Sequence, residues 1–117
     1  MTISAEIKTV LATACTRVFP DFAPVGTTRP YVTYRQVGGQ PINPLDKTVP
    51  GQAFRAFQIN VWANSRASAA LTMAAIDSAM RQATTFIALP VSEPVSDFDA
   101  DVPVFGAEQD WEIFSDR

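Results

Sequence analysis

The chain has 117 residues, of which 47% are hydrophobic and 18% charged, and a formal net charge of −3. That length fits one domain with one core, so residues 1–117 are read as a single folded unit. A single cysteine (Cys15) and no histidine exclude a disulfide framework, a zinc cluster and Cys/His or Ser/His catalysis within one chain.

The first element is a helix. Ile3, Ile7, Val10, Leu11, Ala14 and Val18 recur at helical spacing behind Thr2 or Ser4 as N-cap, with Glu6 in the first turn. Pro20 is expected to stop it near Phe19. Glu6 among the apolar residues, without a basic cluster, is unlike a signal peptide, and no apolar run approaches the ~18 residues of a membrane span. Synthesis in the cytoplasm is the expectation. Cys15 falls on this helix among small residues and reads as a packed side chain rather than a reactive thiol.

Residues 20–30 read as an extended loop pinned to the core by Phe22 and Val25. Tyr31–Val37, rich in β-branched and aromatic residues, reads as a strand. Residues 38–52, punctuated by Gly38, Gly39, Pro41, Pro44, Pro50 and Gly51, far exceed the ~2–5 residues of a hairpin loop. Ile42, Leu45 and Val49 give this excursion an apolar side that either folds back or docks on a partner. The next strand, Phe54–Ala63, alternates Phe57, Ile59 and Val61 with Gln58, Asn60 and Trp62, so a core face and a polar face are written into it.

Ser65 caps a second helix to about Ala83, with Ala69, Met73, Ile76, Met80 and Ala83 as its buried stripe. Phe86–Leu89 adds a short strand broken at Pro90. A final pair follows: Val95–Phe98, a turn at 99–103, and a strand through Phe114 with Trp111 and Ile113 on one face and Asp110, Glu112 and Phe114 on the other. The expected fold is α+β in the order αββαββ, a four-stranded, largely antiparallel sheet with both helices packed on one face.

Charge is divided along the chain. Residues 1–92 hold eight Lys/Arg against four Asp/Glu, a balance of +4, while residues 93–117 hold eight acids and only Arg117, a balance of −7. The division reads either as a solvated acidic hairpin or as self-complementarity between copies. Asp97, Asp99, Asp101 and Glu108 have the carboxylate spacing of an EF-hand loop, but its glycine position is Val102 and its flanks read as strands, so calcium is rejected. No phosphate-binding glycine loop and no convergent carboxylate pair is legible, and an isoelectric point near 4.7 opposes tight nucleic-acid binding.

Three blocks occur in order: Arg17-Val18-Phe19-Pro20 with Ala23-Pro24 and Pro30-Tyr31-Val32; Gln58-Ile59-Asn60-Val61-Trp62-Ala63 with its helix; and Gln109-Asp110-Trp111-Glu112-Ile113-Phe114. Together they span nearly the whole chain. The pattern resembles the tail-completion, tail-terminator or tail-to-head joining proteins encoded in the tail modules of long-tailed bacteriophages and prophages. Residues 38–52 depart from it by their length. The resemblance implies a structural virion protein without catalytic residues or cofactor, made in the bacterial host cytoplasm and placed at the tail–head joint. It implies a ring of identical subunits, commonly a hexamer, that caps the tail tube. The implied partners are other copies, the tail tube protein and the head-completion or connector protein, with DNA passing through without specific binding and no membrane involved.

Within the resemblance, Ile42, Leu45 and Lys47 are the expected docking element for the tube or a neighbour. Arg35 and Arg55 are the expected ring contacts for Asp99 or Asp101. The competing readings are a monomeric small-ligand or calcium-binding α+β module built on the acidic hairpin, and another neck or head-completion protein of the same topology.

Overall fold

The computed structural model describes residues 2–117. Thr2 caps α1 (Ile3–Leu11) by accepting a hydrogen bond from the Ala5 amide at 3.2 Å. The helix ends about two turns before the expected stop, because Val18–Pro20 is taken instead as β1, parallel to Val32–Tyr34. Sheet pairing thus overrides helical periodicity, and Ala14 and Val18 reach the core from outside the helix. Cys15 is therefore not helical. Its thiol is 8% exposed and lies 3.7 Å from the carbonyl oxygens of both Arg17 and Pro30.

β2 (Tyr31–Gln36) and β3 (Gln52–Ala63) pair antiparallel, and β3 pairs along its full length with β6 (Val104–Asp116). Between them in sequence come α2 (Arg66–Arg81), β4 (Ile87–Pro90) and β5 (Val95–Asp99). Both β4 and β5 pair antiparallel with β6 on the side away from β3, β4 with Trp111–Phe114 and β5 with Val104–Glu108. They amount to one edge strand interrupted at residues 91–94, where buried Gln109 donates to the Ser92 carbonyl at 2.9 Å. The sheet is therefore six-stranded and mixed, ordered β1-β2-β3-β6-β4, rather than four-stranded. The two added strands are both short, β1 from the expected helix end and β4 from Phe86–Leu89.

One face of this sheet carries both helices. Ile7 and Leu11 of α1 and Met73, Ile76 and Met80 of α2 meet Val32, Tyr34, Phe57, Ile59, Val61, Trp111 and Ile113 in one buried cluster. Ala69 is fully buried as expected, while Ala83 lies only partly buried at its margin. Ser65 caps α2 through a 3.1 Å bond from the Ser68 amide. The molecule measures 53 × 26 × 24 Å, and a twelve-residue strand at about 3.4 Å per residue fits only the long axis.

Phe22 and Val25 do not pin the 21–30 connection. They are 76% and 107% exposed, because this connection passes outside the sheet edge while Val18 and Val32 already fill the core there. No described helix is long and apolar enough to cross a membrane.

Candidate assembly surface

Strand alternation sorts the acidic tail onto one face. The register pairs Val95 with Glu108, Asp97 with Gly106 and Asp99 with Val104, and alternation then carries Asp110, Glu112 and Asp116 to the same side. Six of the eight acids of residues 93–117 therefore stand on the face without helices. Gln58 and Asn60 of β3 and Arg35 of β2 share that face, opposite Asp110, Glu108 and Gln58 respectively.

The carboxylates meet little positive charge there. Among the described residues the single ion pair joins Arg81 to Asp77 on α2, remote from this face. Arg35 donates to the Gln58 side-chain carbonyl from Nε and Nη2, at 3.4 and 3.3 Å, and to no carboxylate. One Asp110 oxygen is buried without a donor. The Asp97 and Asp99 carboxylates make local bonds, accepting from the amides of Phe98 and Asp101 at 2.8 and 3.0 Å. They shape the hairpin turn.

Arg66, at the start of α2, fixes this hairpin to the domain. It donates to the carbonyls of Gly106 and Asp97, both at 2.6 Å, and its guanidinium lies 5.3 Å from the centre of the Phe105 ring. Nothing in the residue pattern marks this role, since the register of the hairpin against α2 is a tertiary fact. At the same residue, on the helix-free face, Trp62 lies over Gly106. A β-carbon at Gly106 would approach the indole to 2.8 Å, so glycine is what lets the ring lie flat.

The four charged residues expected to meet across neighbouring copies are spread over the molecule. Arg35 stands level with Asp110, and Arg55 is paired with Ile113 on the helix side, where it donates to the Ser115 hydroxyl at 3.3 Å. Asp99, paired with Val104, is six β6 residues from the Arg35 row and nine from that of Arg55, or about 20 and 30 Å along the strand. Within one chain they do not meet. Arg35 and Arg55 instead line a cleft of about 430 Å³ with Arg117, Asp21 and Asp116.

Residues 38–52 form an arm. Its base is tied down, with the Val37 amide bonded to the Ala56 carbonyl, the Ala56 amide to the Gly38 carbonyl, and Arg117 to the carbonyls of Gly51 and Pro50. Gly39 has φ +147 and abuts the Phe54 carbonyl so closely that no side chain fits. Beyond the base the arm does not fold back: Leu45 is 101% and Val49 75% exposed.

The model of the tail completion protein gp17 family matches residues 2–116, which covers every element described above. The chain belongs to that family. It is accordingly a phage tail structural protein. A chain in the virion of a native gene transfer agent particle has the same fold, with a TM-score of 0.68 over 98% of this chain and 95% of that one, at 17% sequence identity. No curated protein matches.

Proposed function

We propose that this tail completion protein closes the finished tail tube as a ring of identical subunits, six in number, with the helix-free sheet face turned to the central passage. The observation that carries the reading is the unpaired acidic face. Six carboxylates aligned on one side of a sheet repel one another in a lone monomer, yet they suit a channel through which a polyanion must slide without sticking. Helices on the outer face would then form the rim of the ring.

Two further features fit this arrangement. The two edges of the sheet are different, β1 and β2 with the arm on one side and β4 with β5 on the other, as a head-to-tail ring requires. The acidic turn carrying Asp99 and Asp101 and the arm carrying Ile42, Leu45 and Lys47 lie at opposite ends of the long axis. The acidic turn offers an axial surface to one partner of the joint, while the arm is free to reach the tube or a neighbouring subunit. In this reading Asp99 and Asp101 face an axial partner, and Arg35 and Arg55 border the subunit contact. The gene transfer agent virion that shares the fold supports a place in the particle.

Native mass spectrometry of the purified chain, over a range of concentration, tests the ring directly. A closed six-subunit species is expected. A monomer at every concentration, together with particles that assemble normally when the gene is deleted, refutes the reading.

A further inference from the structure

The base of the arm and the opposite sheet edge occupy the same rows. Val37 bonds to Ala56, and Gly39 abuts Phe54; those rows continue across β6 through Glu112 and Phe114 to Leu89 and Ile87 on β4. When two copies stand side by side in the same orientation, with no shift along the strands, the base of the arm of one lies level with β4 of the next.

The arm ends in an ordered turn. The Lys47 amide donates to the Pro44 carbonyl at 3.2 Å, and one Asp46 carboxylate oxygen accepts from the Thr48 amide and hydroxyl at 3.1 and 2.7 Å. Lys47 is held at φ +64, a left-handed conformation that costs a non-glycine residue stability. This strained, preorganised turn displays Leu45 wholly in solvent, with Ile42 and Val49 beside it. In a self-sufficient monomer it would serve nothing.

The opposite edge is equally incomplete. Ile87, Leu89 and Val95, with Val91 between them in sequence, are each more than half exposed, and the register places the first three on the helix-free face at its β4–β5 border. β4 itself carries no lysine or other blunting charge, and an aliphatic border of this kind invites a partner. Its borders are acidic: Glu112 is the cross-strand neighbour of Leu89, Glu108 that of Val95, and Glu93 sits in the break. Lys47 on the arm tip is complementary to that border, since Asp46 is already occupied by Thr48.

We propose that the arm of one copy seats Ile42, Leu45 and Val49 on the Ile87–Leu89–Val91–Val95 stripe of the next copy, with Lys47 against Glu93 or Glu112. The proposal rests on the ring reading and specifies its subunit contact. The occupant is a second copy because the rows are level, the charges are opposite, and the arm and stripe lie on opposite edges of one sheet.

The test uses two variants of the full chain, Leu45→Asp and Leu89→Asp. Both positions are more than half exposed, so each variant keeps the wild-type circular dichroism and melting curve. In sedimentation velocity the wild type self-associates, and each variant alone does so at least about tenfold more weakly, the effect of losing one buried leucine. Mixed in equal amounts they form dimers and nothing larger, because one variant keeps an intact stripe and the other an intact arm. If both variants assemble like wild type, the arm contact is overturned and the ring stands. If the variants fail alone and the mixture stays monomeric, the two surfaces do not meet each other and the proposal is again overturned. A wild type that is monomeric throughout overturns this contact along with the ring.

Discussion

Removing charge from the middle of the helix-free face is expected to stabilise the isolated chain, and the size of the effect follows from the strand geometry. Glu108, Asp110 and Glu112 stand at alternate positions of β6 on that face, so adjacent carboxylates are about 7 Å apart. Two unit charges at that separation repel by about 0.6 kcal/mol in water. The outer pair, at about 14 Å, adds about 0.3 kcal/mol. With a Debye length of about 30 Å at 0.01 M ionic strength the row costs about 1 kcal/mol, and with one of about 3 Å at 1 M it costs about 0.1. In the unfolded chain these i, i+2 neighbours can move no farther apart than an extended segment allows, so about 1 kcal/mol is an upper bound on what folding adds by aligning them on one face.

The combined variant Glu108→Gln, Asp110→Asn, Glu112→Gln should therefore melt above wild type in low salt, by up to about 4 °C given about 4 °C per kcal/mol for a domain of this size. In 1 M salt the two should melt together. Thermal unfolding followed by circular dichroism at both salt concentrations is the assay, and the difference between the proteins removes salt effects common to both. A variant that melts at or below wild type in low salt, or an advantage that persists undiminished in 1 M salt, refutes the argument that these acids repel without a cation. The expected gain also bears on function. A face that destabilises the monomer has to be retained for something outside it.

Three other outcomes are expected. Ile59→Ala, at a fully buried position beneath the helices, should lower unfolding stability by about 2–5 kcal/mol in urea titration, whereas Phe54→Ala on the helix-free face, where the ring is 38% exposed and packs on Phe114 at 4.6 Å, should cost less. The Thr48 hydroxyl and then the Thr48 amide hold the Asp46 carboxyl below its usual value, so the arm turn is fully formed above the ordinary carboxylate range and loosens as pH falls through the depressed value. The protection of the Thr48 amide, its exchange rate relative to an unstructured amide at the same pH, should fall in that window, and in Asp46→Asn it should already be low at neutral pH. Reversing charge at the hairpin turn with Asp99→Lys and Asp101→Lys should leave subunit self-association intact and reduce incorporation into particles, measured by the amount of the protein in purified virions. Self-association weakened by the reversal would instead place the turn at the contact between subunits.

The strands and helices that carry their own periodicity were legible in the residues. Phe57, Ile59 and Val61 alternate with polar residues, and Ala69, Met73, Ile76 and Met80 recur at helical spacing. Each pattern is dictated by burial of one face, and each is found buried. Val18–Pro20 was not legible as a strand. Three residues carry too little pattern to outweigh the helical spacing of Val18 with Ala14, and the decision came from parallel pairing with β2. Phe22 and Val25 misled in another way, because an apolar residue in a loop says nothing about whether the core has room for it.

The candidate surface divides in the same manner. That the last 25 residues are acidic, and that Asp110 and Glu112 share a face, could be read from composition and alternation. So could the apolar character of the 38–52 arm and the blocks that point to the tail completion family. What only the tertiary structure decided is register. Pairing of Val95 with Glu108 put Asp97, Asp99 and the β6 acids on one face, and pairing of Ile87 with Phe114 set an aliphatic border level with the base of the arm. Alternation along a strand is local and survives in the sequence. The alignment of one strand against another depends on contacts between residues far apart in the chain, and it exists only once the core has closed.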